Sequence, residues 1–365
     1  MRILLATPWG GVSGGMSKWS EHIIEYYNAL NNKSIAIDLL PMGRSILVNH
    51  DKLLFFHRLF FALKDYSLIL RTFSNMISEK HYDIMHLTSS ASISLLKDIL
   101  MIKKAKNKGI KCIIHFHFGR IPQLSQVKNW EWSLLNHVVK MADKVIVLDK
   151  RSYDVLTERG YSNIELLPNP VTPTLKAIIN NNSVKRIPRS ILFVGHVVKN
   201  KGVFELVEAC KQIPNIQLKM VGQVFPEVKK ILEDNVNHVS WLHIEGEKNY
   251  VDVIKEMLAC DLFVLPTYTE GFPNVILESM ACGCAIITTK VGAIPEMLEE
   301  DNAGKYGIMI DYKNIEQLRN AIERLLLDVN LKNECGINAK RRVNEKYDIS
   351  QIWEYLINIW KNTMC

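Results

Sequence analysis

Residues 266–296 read P-T-Y-T-E-G-F-P-N-V-I-L-E-S-M-A-C-G-C-A-I-I-T-T-K-V-G-A-I-P-E, and this stretch decides the architecture. An apolar run, Asp261 to Leu265, leads into it and reads as a buried strand. The loop that follows is rich in glycine and proline and carries Glu270. Asn274 is placed to cap a helix that Gly283 can end, and Glu278 then falls about one turn inside that helix. A strand–loop–helix unit of this kind turns free backbone N–H groups and the positive end of a helix toward whatever lies above the loop, which suits a phosphate. A glutamate one turn into the helix can accept hydrogen bonds from ribose hydroxyls, and a glutamate on the loop can reach a sugar. The pattern therefore points to a nucleotide-sugar with a carboxylate at each end of the ligand.

The same alternation runs through the chain in both directions. Strands are expected at Arg2–Thr7, Ser34–Leu40, Asp83–Thr88, Lys111–Phe118, Lys144–Leu148 and Ile164–Leu167. After a joint at residues 167–174, L-P-N-P-V-T-P-T, they are expected at Ser190–Val194, Gln217–Val221, His238–Leu242, Leu262–Leu265, Ala285–Thr289 and Gly307–Ile310. Most are continuous apolar runs, the mark of buried parallel strands, with helical patterns between them. A chain of 365 residues with 48% hydrophobic content fits two such domains. Ligands of open parallel sheets bind at the carboxyl ends of the strands, so the loops there carry the candidate chemistry.

Four loops qualify. Pro8 to Gly15, with Gly10, Gly11, Gly14 and Gly15, follows the first strand; its spacing is not that of a dinucleotide fingerprint. I-I-H-F-H-F-G places His115 and His117 on one face of a strand, with His117 nearer the carboxyl end and His115 read as structural. G-H-V-V-K-N-K-G, residues 195–202, brings His196, Lys199 and Lys201 to a strand end. Glu245-Gly246-Glu247 follows another strand.

Together these segments resemble the retaining glycosyltransferases of family 4, whose E-x7-E signature matches Glu270 and Glu278. The resemblance is strong over residues 190–310 and looser before 170. It implies the GT-B fold: an α/β architecture of two Rossmann-like, doubly wound domains facing each other across a cleft. The first domain is expected at 1–168 on the acceptor side, completed by a closing helix over 349–365 that carries Trp353 and Trp360. The second is expected at 175–348 and would bind the nucleotide-sugar. The resemblance implies catalytic roles for His117, against the transferred sugar, and for Lys201 and Glu270. It implies donor contacts from Gly14, Gly15, His196, Lys201, Gly271, Phe272, Asn274, Val275 and Glu278. Family members usually carry arginine where His196 stands; a histidine is only partly charged near neutral pH and lacks the bidentate fork. Glu245–Glu247 occupies the place where the family reads the base. The sugar donor is a substrate, and no cofactor is expected.

Composition bounds the rest. Residues 1–170 carry 22 Lys and Arg against 14 Asp and Glu, while 171–365 carry 23 against 24, so the basic excess lies in the first half. It includes Lys103, Lys104, Lys106, Lys108 and Lys111, alongside the aromatic stretch L-L-F-F-H-R-L-F-F-A-L-K at 53–64. These read either as a solvated helix end and a core-facing helix, or as a surface for anionic membrane lipid. A glycan or lipid-linked glycan acceptor fits the second reading. No recognition motif accompanies the charge, so nucleic acid is not an expected partner. The chain has no Asp-x-Asp and no zinc-type His/Cys spacing, so no metal is expected. Seven scattered cysteines, an N-terminus that reads as a strand and the lack of a long apolar run point to a reduced, cytoplasmic protein, peripheral to the membrane at most. Two other readings stay open: a nucleotide-sugar epimerase of the same architecture, and a two-lobed binding protein.

Overall fold

The computed structural model of the chain describes residues 1–9, 15–30, 34–42, 55–235, 239–299 and 304–364, with the backbone alone for 55–63 and 235. It divides into two compact units, Met1–Pro168 with Ile352–Cys365, and Asn169–Gln351. The first unit runs β1 (Arg2–Thr7), α1 (Gly15–Leu30), β2 (Ala36–Pro41), α2 (Phe55–Glu79), β3 (Ile84–Ser89), α3 (Ser94–Lys106), β4 (Lys111–Phe116), α4 (Ile121–Val127), α5 (Trp130–Met141), β5 (Lys144–Val147), α6 (Lys150–Glu158) and β6 (Ile164–Leu166). The second runs α7 (Pro173–Asn181), β7 (Ser190–Val194), α8 (Val203–Cys210), β8 (Gln217–Val221), α9 (Pro226–Asn235), β9 (Leu242–Glu245), α10 (Tyr250–Ala259), β10 (Leu262–Leu265), α11 (Asn274–Ala281), β11 (Ala285–Thr289), α12 (Ile294–Met297), β12 (Ile308–Ile310), α13 (Ile315–Leu327) and α14 (Val329–Lys346). The last helix, α15 (Ile349–Met364), begins in the second unit and ends in the first.

Each unit holds one six-stranded parallel sheet. The first has the order β2-β1-β3-β4-β5-β6, and the chain reverses direction across it between β1 and β3. The second has the order β12-β11-β10-β7-β8-β9, with its reversal between β7 and β10. The inner strands bury nearly every side chain, as β3 and β10 show along their whole length, so their continuous apolar runs are explained by helices on both faces, while the edge strands β2 and β9 stay half-exposed. In the first unit one core face is closed by α15. Its Trp353 and Trp360 pack edge-on, centroids 5.7 Å apart, against a cluster containing Ile3, Leu5, Trp19 and Ile113.

Eleven strands lie within two residues of their expected bounds. The exception is β9, expected at 238–242 and found at Leu242–Glu245, with His238 outside the described residues. Pairing to β8 governs here: Leu218 N–H donates to Trp241 O (2.8 Å), and the ladder runs from Leu218↔Leu242 to Val221↔Glu245. At a half-exposed sheet edge a polar residue can stay in the strand, and Glu245 does so beside Lys219 and Lys248.

Because Trp353 is 3% exposed, Trp353→Ala is expected to destabilise the first unit by about 3–5 kcal/mol. Urea unfolding followed by tryptophan fluorescence measures this; a loss under about 1 kcal/mol would mean that α15 does not close this core.

Candidate functional site

The reversal point of the second sheet brings the ends of β7 and β10 side by side, and two glycines set how closely their loops approach. Gly202 has φ +72, and a Cβ there would lie 2.1 Å from the carbonyl oxygen of Pro266. Gly292 has φ +56, and its Cβ would lie 2.4 Å from Glu270 O and 2.5 Å from Gly271 O. No L side chain fits either position, so backbone touches backbone. Hydrogen bonds tie the same loops: Tyr268 N–H donates to Asn200 O (2.9 Å), Ala293 N–H to Gly271 O (2.8 Å) and Thr289 Oγ1 to Thr267 O (2.5 Å). The Tyr268 hydroxyl donates to Glu205.

On this frame Lys201 Nζ meets Glu270 Oε1 at 2.5 Å, across 69 positions of sequence. Both side chains are largely buried, at 24% and 13% exposure, so the pair is held rather than solvated. Lys201 ends a single 3-10 turn, Lys199–Lys201, directly before α8, and Glu270 lies four residues before α11. The N-terminus of α8 follows Lys201 in the chain and that of α11 follows Glu270, and the positive end of a helix favours anionic oxygen. His196 is exposed on the β7 loop.

Glu278 is buried on α11 at 5% exposure. The Tyr250 hydroxyl, at the start of α10, hydrogen-bonds its carboxylate. Burial first, then the Glu278 charge, push the Tyr250 pKa up, so the phenol stays protonated and donates. The expected cap is corrected: Pro273 is the N-cap of α11 with no side-chain bond, and Asn274 begins the helix. Standing one position inside the helix, Asn274 turns its Oδ1 to the amide of Asn169, at 2.8 Å. Phe272 is buried against Tyr347, ring centroids 5.8 Å apart, while Gly271 and Val275 are half-buried beside Glu270 and Glu278. Glu245 sits in an ion-pair network with Lys248 and Lys219 that also takes in Glu256.

In the first unit, β4 ends at Phe116, so His117 stands one residue beyond the strand, its N–H donating to Ser89 O (2.9 Å). Its ring lies 4.0 Å from that of His115 and 5.2 Å from that of Trp19, centroid to centroid. Thr88 Oγ1 donates to Thr7 Oγ1 (3.0 Å) across the β1/β3 reversal. Gly14 lies outside the described residues; Gly15 begins α1 and a Cβ there would meet open space. Sequence reasoning missed Tyr250, His86 and Trp19, which lie on other elements and carry no motif.

Burial pushes His86 and His117 down to about 3, and His115 well below the usual histidine range. Burial also takes His22 down to about 4, with Lys18 adding to it. The unfolded chain takes up these protons below about 6.5, and the native state does not. Their contribution is therefore full above that pH and is lost as pH falls toward the native values. Each histidine supplies a slope of roughly 1 kcal/mol per pH unit. Urea unfolding is expected to show stability falling steadily from about pH 7 to about pH 5, above the range where carboxylates dominate. A flat profile would mean that these rings are not held neutral.

Among the described residues, no three His, Cys, Asp or Glu side chains gather as a metal site, and no helix is long and apolar enough to cross a membrane. Residues 22–175 match the family model Glycosyltransferase Family 4, and residues 176–342 match Glycosyl transferases group 1. The capsular polysaccharide biosynthesis glycosyltransferase CapM of Staphylococcus aureus is 28% identical over 210 residues, 55% of this chain and 51% of CapM, so the match spans about half of that relative. Among solved structures, the sucrose-phosphate synthase of Thermosynechococcus elongatus superposes with a TM-score of 0.79 at 19% identity, over 99% of this chain and 98% of that one. Anabaena HepE in complex with UDP-glucose superposes with a TM-score of 0.70 at 17% identity, over 99% and 100% of the two chains. With its two parallel six-stranded sheets, the chain has the GT-B fold, and residues 22–342 match two glycosyltransferase domain models in tandem.

Proposed function

We propose that the protein is a retaining glycosyltransferase that moves a sugar from a nucleoside diphosphate sugar to an acceptor hydroxyl. The observation that carries this reading is the Lys201–Glu270 pair, held on the loops that lead into α8 and α11 at the reversal point of the second sheet. When the bond between the anomeric carbon and the diphosphate breaks, negative charge builds on the leaving oxygen. Lys201 and the N-termini of α8 and α11 stabilise that charge without reorganising. The diphosphate offers Lys201 the acceptor chemistry that Glu270 supplies here, so donor binding releases the Glu270 carboxylate to a sugar hydroxyl. Glu278, oriented by Tyr250, accepts from the ribose hydroxyls. His117, kept neutral, is the first unit's contribution, hydrogen-bonding the transferred sugar. The acceptor hydroxyl attacks the face that the diphosphate leaves and passes its proton to the departing phosphate oxygen, so configuration is retained with no covalent enzyme intermediate. Lysine and helix ends do the work of a divalent ion, and the reaction is metal-independent. HepE holds UDP-glucose, which supports the donor class. CapM is a capsular polysaccharide biosynthesis glycosyltransferase, which supports a cell-surface glycan acceptor; a lipid carrier for it rests on the cations of the first unit alone.

A thermal-shift screen against UDP, GDP, ADP and their sugars, run with and without EDTA, tests the reading. A nucleotide at 100 times its dissociation constant adds about 2.7 kcal/mol to the native state. The account expects one base to stabilise the protein, EDTA to change nothing, and turnover to need an acceptor. Epimerisation of the donor alone would identify an epimerase instead, and a shift without any turnover would identify a binding protein.

Glu278→Ala is expected to weaken binding of the free nucleoside diphosphate by about 1.5–3 kcal/mol, as measured by calorimetry. Unchanged affinity in a folded variant would remove Glu278 from the ribose site.

We further propose a cytoplasmic location with peripheral binding to anionic lipid. Ile93, Leu96 and Leu100 lie exposed along α3 and its N-cap, which ends in Lys103, Lys104 and Lys106. The side chains of 53–63 lie outside the described residues. Each cation near such a surface contributes about 1 kcal/mol. Co-sedimentation with anionic vesicles is expected, weakening as salt shortens the Debye length from about 10 Å at 0.1 M to about 3 Å at 1 M. Glutamate at Lys103, Lys104 and Lys106 weakens it further. Protein that stays in the supernatant at low salt would leave the lysines a solvated helix end.

A further inference from the structure

The first unit contains a chain of hydrogen bonds between rings that can run in one direction only. Trp360, buried on α15, donates its indole N–H to His86 Nδ1 at 3.0 Å. An indole nitrogen is a donor and never an acceptor, so His86 Nδ1 carries no hydrogen. The ring is neutral, so its hydrogen is on Nε2, which faces His115 Nδ1 at 3.3 Å. His115 Nδ1 must then accept, and its own hydrogen is on Nε2. His86 and His115 are buried diagonal neighbours on one face of β3 and β4, where Thr88 pairs with His115. The chain stops there, because His115 Nε2 is buried without a partner. The His117 ring is tilted 40° over that of His115 at 4.0 Å, and Trp19 meets both rings edge-on. A reversed His86 tautomer would set its Nδ1–H against the indole N–H, donor against donor.

We propose that Trp360 is a positioning residue for His117: its indole N–H fixes, through His86, the single tautomer and orientation of the His115 ring on which His117 is stacked. The proposal rests on the reading of His117 as a residue that touches the transferred sugar. The C-terminal helix then does more than fill a core. It sets the geometry of a histidine 243 positions upstream, by a route that any aromatic filler without an N–H would lose.

Two-dimensional ¹H–¹⁵N spectra of the histidine rings in the full chain test this. In the unaltered protein, His86 and His115 are both expected as Nε2–H tautomers. In Trp360→Phe the two rings are expected to mix tautomers, and kcat for UDP-glucose as probe donor to fall on the order of 10–100-fold, the usual effect of removing a partner that orients a histidine, with KM unchanged. An Nδ1–H tautomer at either ring of the unaltered protein overturns the proposal and needs no variant to fold. So do unchanged tautomers in Trp360→Phe. If tautomers mix but kcat holds while His117→Ala is inactive, positioning by Trp360 is refuted. If kcat holds in both variants, the role of His117 itself fails.

Discussion

The approach of Gly202 to the Pro266 carbonyl is the constraint on which the second unit's chemistry depends. It locks the loop after β7 onto the loop after β10, and Gly292 locks the latter from its other side. Only then can Lys201 and Glu270, far apart in sequence, meet at hydrogen-bond distance. A desolvated lysine–carboxylate pair carries little net stability, because the cost of burying two charges offsets their attraction. On the proposed reading its value lies in holding a cation in place before a ligand arrives, so that the site need not reorganise during the reaction.

The two units surround their candidate site residues with different groups. The second uses charge: Lys201 with Glu270, and Glu256 between Lys219 and Lys248. The first joins three histidines and three tryptophans around β3, β4 and the inner face of α15, and also buries an ion pair of its own, Lys97–Asp98 on α3. Neutral imidazoles are buried at less cost than unpaired ions, and each still offers one donor and one acceptor. That is suited to binding sugar hydroxyls rather than phosphate.

The sequence made the fold readable because buried parallel strands advertise themselves as unbroken apolar runs; β10 and β11 lie at their expected bounds. It misplaced β9, where edge pairing to β8 outweighs hydrophobicity. Glu270 and Glu278 stood out because one loop and one helix turn set their spacing. Their partners did not. Lys201 is named by its loop but not by its bond to Glu270, and Tyr250 reaches Glu278 from a separate helix. Asn274 misled for a related reason, since a local capping rule cannot foresee Asn169, 105 positions away. The link from Trp360 to His86 spans 274 positions and leaves no local trace at all.

The central claim is that Lys201 supplies the fixed positive charge against the leaving diphosphate, and that His196, standing where an arginine would carry full charge, does not. Turnover of Lys201→Ala and His196→Ala at about pH 7.5 tests it directly. Removing one stabiliser of developing charge typically costs about 10²–10³ in rate, and the account predicts that loss for Lys201→Ala and a clearly smaller one for His196→Ala. Equal losses, or the larger loss at His196, would contradict it and place the charge on the histidine loop instead.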